Sequence, residues 1–192
     1  MPYLTQDFFD RDTLEVARDL IGAVIVVGKC EVKIVETEAY KNDPASHSVM
    51  RPKTATMMRD TYGHIYVYQS YGVHYCMNFT TERKGIGAVL IRAGEPLKGL
   101  ELMAERRGLS EPRLLASGPG RLCQAMGVDM AFSGLKIGRE LKVRPRTATP
   151  RIASSPRIGI TRATELEWRF FDVDSPYVSR RLRMPKNPSK GG

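Results

Sequence analysis

Apolar positions along the chain change period several times, and each change predicts an element. Leu14, Ala17, Leu20 and Ile21 recur at helical spacing after Asp12 and stop at Gly22, which predicts a short capped helix. Runs rich in Val and Ile at 23–27 and 31–39 follow, split by Gly28-Lys29, and predict a β-hairpin. No period holds over 45–63, where His47 and Pro52 fall among polar residues. That stretch reads as a long loop with one short turn of helix, and long ordered loops are often functional. Strands are predicted again at 65–70 and 73–80, around Tyr71-Gly72, and at 88–93.

Further on, Pro96 stands near the start of a predicted helix carrying Leu97, Leu100, Met103 and Ala104, which Gly108 ends. Ser117-Gly118-Pro119-Gly120 leads into a second short helix over 121–126, and brief strands are expected at 141–143, 157–161 and 169–173. The result is an α+β class: a single compact domain over 1–183, with a mostly antiparallel curved β-sheet and flanking short helices. Residues 184–192, rich in Pro, Lys and Gly, read as a flexible basic tail.

Composition narrows the class of partner. With 42% hydrophobic and 27% charged residues the chain suits a soluble globular domain, and 192 residues suffice to bury a core without staples. The formal charge is +9, and from Arg139 onward 13 basic side chains face 5 acidic ones, the footprint expected for a polyanion. A solvated basic surface would look the same. Cys30, Cys76 and Cys123 are widely spaced, suggesting reduced buried thiols. No leader-like or bilayer-length apolar run occurs, so the expectation is no membrane and a cytoplasmic or nucleoid location.

Two segments carry candidate chemistry. Strict alternation over 34–40 would set Ile34, Glu36, Glu38 and Tyr40 on one strand face and Val35, Thr37 and Ala39 on the other. Two carboxylates and a phenol sharing a face suit either a cleft or an exposed strand surface, since burying unpaired carboxylates is costly. The stretch 66–75 holds four of the eight tyrosines, with Tyr71 at the predicted turn beside Gly72. Tyrosines are also simply good sheet formers.

These segments resemble a known family. Val35-Glu36-Thr37-Glu38-Ala39-Tyr40, Pro44-Ala45-Ser46-His47, Tyr66-Val67-Tyr68, Tyr71-Gly72, Cys76-Met77-Asn78, Val89-Leu90-Ile91-Arg92-Ala93, Ser117-Gly118-Pro119 and Leu122-Cys123-Gln124-Ala125 resemble, in order, the alkyladenine or 3-methyladenine DNA glycosylases of the mammalian alkyladenine-glycosylase type. The resemblance implies a monofunctional base excision repair enzyme that flips alkylated or deaminated purines from double-stranded DNA and leaves an abasic site. Lesions of the 3-methyladenine, hypoxanthine and ethenoadenine class are the implied substrates, and a monomer is expected.

By the same resemblance Glu38 is the general base and Arg92 the arginine that holds carboxylate and water. Tyr40, His47 and Tyr68 would stack the flipped base, Asn78 would crowd the amino group of normal guanine, and Tyr71 would enter the duplex. No cofactor or metal is expected, since His47, His64 and His74 lack ligand spacing. Residues 54–62 fit the family pattern poorly, and Gln69-Ser70 is more polar than the usual apolar pair. Two other readings stand beside this one: a non-catalytic reader of damaged DNA with the same pocket and wedge, and a glycoside hydrolase using Glu36 and Glu38, about 7 Å apart along the strand, which the basic C-terminal third suits less well than DNA.

Overall fold

The computed structural model describes residues 2–50 and 52–180, with side chains from 56 onward in the second segment. The proposed tail at 184–192 lies outside the described residues. Eight strands form one curled antiparallel sheet: β1 (Val24–Val27), β2 (Cys30–Tyr40), β3 (Ile65–Ser70), β4 (His74–Thr81), β5 (Gly87–Lys98), β6 (Leu141–Arg144), β7 (Ile152–Ser155) and β8 (Arg169–Asp172). Their order is β3-β4-β5-β2-β1-β6; β8 shares one edge of β2 with β1 and carries β7 on its outer side.

Helices α1 (Gln6–Phe9), α2 (Thr13–Asp19), α5 (Leu100–Arg107), α6 (Pro112–Leu115) and α7 (Pro119–Met126) accompany the sheet. The main core forms where α2, α5 and α7 bury Val16, Met103 and Leu122 against Ile34, Met77 and Ile91. Asp12 caps α2 as its sequence position predicts, accepting from the backbone N–H groups of Leu14 and Glu15. A smaller cluster of Met58, Tyr66 and Ala88 marks a second apolar region, packed against Tyr40 and Tyr68.

Three expectations are corrected. The stretch 45–63 contains two helices, α3 (His47–Met50) and α4 (Pro52–Asp60), rather than one turn in a loop. The helix expected from Pro96 begins at Leu100, because β5 continues through Pro96, paired with Val32 beside a register shift, until Gly99 turns the chain with φ 76°. Residues 157–161 are not a strand: pairing with β8 falls to Ile152–Ser155, and the backbone N–H of Ile158 is directed to a side chain instead.

Candidate active site

Successive residues of the central strands divide between two faces. Ala39, Val67, Met77, Phe79, Val89 and Ile91 enter the main core, whereas Tyr40, Tyr66, Tyr68, Cys76, Asn78, Ala88 and Leu90 line a cavity of about 310 Å³. Register pairs set Tyr66, Asn78, Leu90, Glu38 and Arg169 in one row across β3, β4, β5, β2 and β8. His47 and Met50 from α3, Met58 from α4 and the segment Ile158-Gly159-Ile160 close the cavity, with Tyr71 and Pro119 also in its wall.

The carboxylates reach this face through a bulge that alternation alone does not show. Pairing of β2 with β5 steps from Ile34–Gly94 to Glu36–Ala93 and then to Thr37–Ile91, leaving Val35 and Arg92 without register partners. Ile34 therefore lies in the main core, as do Cys30 and Val32 before it, while Thr37 after the bulge donates to the Ala17 carbonyl on α2. Ile34 does not share a face with Glu36 and Glu38, contrary to the simple period. Without the shift, Glu36 and Glu38 would point into hydrocarbon.

Both carboxylates are fully buried, and each is partnered. Glu38 Oε2 accepts from the Tyr40 hydroxyl at 2.8 Å and from Arg92 Nη1 at 3.3 Å, and Oε1 accepts from the Ile158 N–H at 2.7 Å. Glu36 Oε1 takes Arg169 Nε at 2.7 Å and Ser179 Oγ at 2.9 Å, and Oε2 takes the Ser179 N–H at 2.6 Å. Arg92 lies between the two, its Nε 3.3 Å from Glu36 Oε1. Burial alone would lower the pKa of that guanidinium, but the charges of Glu38 and Glu36 outweigh it and hold it above the ordinary value.

The walls are phenols and thiols kept neutral. Burial, followed by the Glu38 charge, pushes the Tyr40 phenol far above its usual value. Burial also raises Tyr68, with its Cys76 neighbour next in effect, and raises the Cys76 thiol. His47 Nδ1 lies 2.9 Å from the Tyr66 hydroxyl, and its ring meets Tyr68 edge-on at 4.3 Å between centroids. The Asn78 amide donates to the backbone carbonyls of Tyr66 and Cys76, which fixes its orientation. Among the described residues no three His, Cys, Asp or Glu side chains converge as metal ligands.

Tyr71 borders the cavity but is hardly packed. It is 93% exposed, with φ 51°, and Gly72 follows at φ 71° while the Val73 N–H returns to the Ser70 carbonyl. Two successive positive φ values make a type I′ turn, which Gly accepts freely and Tyr does not. A structural role in the core is thereby excluded for this ring.

Sequence reasoning brought Glu38, Arg92, Tyr40, His47, Tyr68 and Asn78 to one place, and missed part of what surrounds them. Arg157 is 4% exposed, forked onto Asp43, bonded to the Ala39 carbonyl and stacked over the Tyr40 and Trp168 rings. So enclosed, it is not available to a phosphate backbone, unlike Arg162 and Arg180, which are exposed. Arg169 and Ser179 were likewise not singled out. The only hint lay in Arg-Ile-Gly-Ile, whose alternation imitates a strand.

The profile of the methylpurine-DNA glycosylase family matches residues 7–176. A protein of Nitrosospira multiformis is 46% identical over 181 residues, spanning 92% of this chain and 94% of its own. One from Rhodopseudomonas palustris is 48% identical over 183 residues (93% and 89%), and one from Methanocella arvoryzae 44% over 196 residues (94% and 98%). All three carry the name "Putative 3-methyladenine DNA glycosylase". With a profile match across most of its length and relatives of this identity, the chain belongs to the methylpurine-DNA glycosylase family.

Proposed function

We propose that this chain is a monofunctional repair glycosylase that takes a damaged purine, rotated out of double-stranded DNA, into the cavity and hydrolyses its N-glycosidic bond. Family membership supports release of methylated purines, 3-methyladenine foremost; hypoxanthine and ethenoadenine are the further candidate lesions. Tyr40, Tyr68 and His47 offer aromatic faces to the base, and a purine made cationic by alkylation gains about 0.5–2 kcal/mol from such faces. Asn78, held by its two backbone hydrogen bonds, narrows the space where the amino group of guanine would sit.

The observation that carries the chemical step is the bonding of Glu38. Three donors occupy its oxygens, and Oε1, with the Ile158 N–H alone, keeps one lone pair for a water. Glu38 accepts the proton of that water as it adds to the anomeric carbon, and the departing base leaves an abasic site. Its charge also stabilises the oxocarbenium-like sugar.

Single-turnover assays on a panel of duplexes, each with one lesion, test the reading. Glu38→Gln is expected to lower base release at least about 100-fold while lesion binding persists. Binding without release by the natural chain would instead make it a reader of damage.

A further inference from the structure

The second carboxylate of the pair has no part in the step above, yet it is as deeply buried as the first and better bonded. Glu36 receives four contacts: Arg169 Nε at 2.7 Å, Ser179 Oγ at 2.9 Å, Ser179 N–H at 2.6 Å and Arg92 Nε at 3.3 Å. A structural ion pair alone would need only Arg169. The placement of Arg169 shows more: its Cα register partner across β2 and β8 is Glu38, not Glu36. Its three nitrogens are nevertheless all turned elsewhere, to Glu36 Oε1, Ser155 Oγ and the Arg180 carbonyl. Arg92 Nε, buried and without a directed hydrogen bond, lies 3.3 Å from Glu36 Oε1, while Nη1 of the same guanidinium donates to Glu38.

We propose that Glu36 is a positioning residue for base release: it binds Arg169 diagonally and shares Arg92, so that Glu38 bears on one arginine rather than two and remains a competent base. The inference rests on Glu38 being the base. Around Glu38 stand Glu36 and Tyr40 on β2, Arg92 on β5, Arg169 on β8, Tyr68 on β3 and Cys76 on β4. Counting Glu38 itself, two negative and two positive groups balance, and Arg157, stacked over Tyr40, is matched by Asp43. Neutralising Glu36 alone leaves a net positive charge beside Glu38, which favours its ionised form and weakens its hold on a proton. The Ser179 contacts add a tie from the segment before Arg180 to the same carboxylate.

The test compares Glu36→Gln, Arg169→Gln and the double variant in single-turnover release of one lesion from a duplex, with lesion affinity measured alongside. Glu36→Gln is expected to slow release about ten-fold or more with affinity little changed, and to move the acid limb of the pH–rate profile toward lower pH. Arg169→Gln, which leaves two glutamates sharing Arg92, moves that limb toward higher pH. The double variant, again balanced in charge, recovers most of the rate and returns the limb toward its natural place. A purely structural Glu36 would give a double variant slower than either single one and no opposed shifts, and that result overturns the proposal, as does natural activity in Glu36→Gln. Should Glu36→Gln not fold, the direction of the Arg169→Gln shift decides alone. Failure of the base assignment is separately visible, because Glu38→Gln would then stay active.

Discussion

Tyr40 and Tyr68 are phenols whose ionisation the fold opposes, Tyr40 through burial and the Glu38 charge, Tyr68 through burial and Cys76. A phenol raised in the folded state contributes stability that is complete below its unfolded pKa of about 10 and declines as pH climbs above it. Each contributes a slope of about 1.4 kcal/mol per pH unit in that range. Tyr40→Phe is therefore expected to make the alkaline loss of stability shallower by one proton, read from denaturant melts between pH 10 and 11. The same variant removes one of three hydrogen bonds to Glu38. An unchanged alkaline slope would show that Tyr40 ionises freely in the folded protein. Glu38 and Tyr40 were legible in the sequence as neighbours on one strand face, but their direction was not. Hydrophobic alternation carries no mark of the missing register partners at Val35 and Arg92, and that shift decides whether the glutamates meet the core or the cavity.

Among the elements, the β3–β4 hairpin came out as its sequence predicts, because alternating apolar residues flank a Gly-containing turn. The covering elements were hidden for identifiable reasons. Helix α4 has a polar composition in which, among the described side chains, only Met57 and Met58 pack on the second apolar cluster, while α3 is a single turn, so neither carries a readable period. The segment 157–161 alternates like a strand yet spends its N–H on Glu38. At the hairpin tip, Tyr71 holds a left-handed conformation at a cost of about 1 kcal/mol while burying almost nothing. A ring presented so openly suits insertion into a duplex, where it would stack in the gap left by the rotated nucleotide. Tyr71→Ser is expected to keep its melting temperature and to shift the flipping equilibrium of a fluorescent ethenoadenine toward the stacked state. A variant that flips the lesion as well as the natural chain would remove the wedge role.

Across the whole molecule, the basic excess is smaller as a DNA footprint than the sequence alone implies. Of the basic residues from Arg139 onward, Arg144, Arg146, Arg151, Arg157 and Arg169 each sit against a carboxylate: Glu31, Asp19, Asp174, Asp43 and Glu36 respectively. Their charge is spent within the fold. Arg162 is exposed and follows the cavity-lining Ile160 by two residues, which makes it the candidate for a phosphate contact. Each phosphate neutralised by such a side chain releases counterions and adds about −0.9 to the slope of log affinity against log salt. Binding to lesion duplex is thus expected to weaken as salt rises, and Arg162→Gln to flatten the slope by about one contact while lowering affinity for all sequences alike. Arg157→Gln should behave differently. It leaves Asp43 buried without its fork and loosens the segment that donates to Glu38, so melting temperature and base release fall while the salt slope holds. Equal flattening by both substitutions would mean that Arg157 reaches the DNA after all, and no flattening by Arg162→Gln would move the backbone to another face of the molecule.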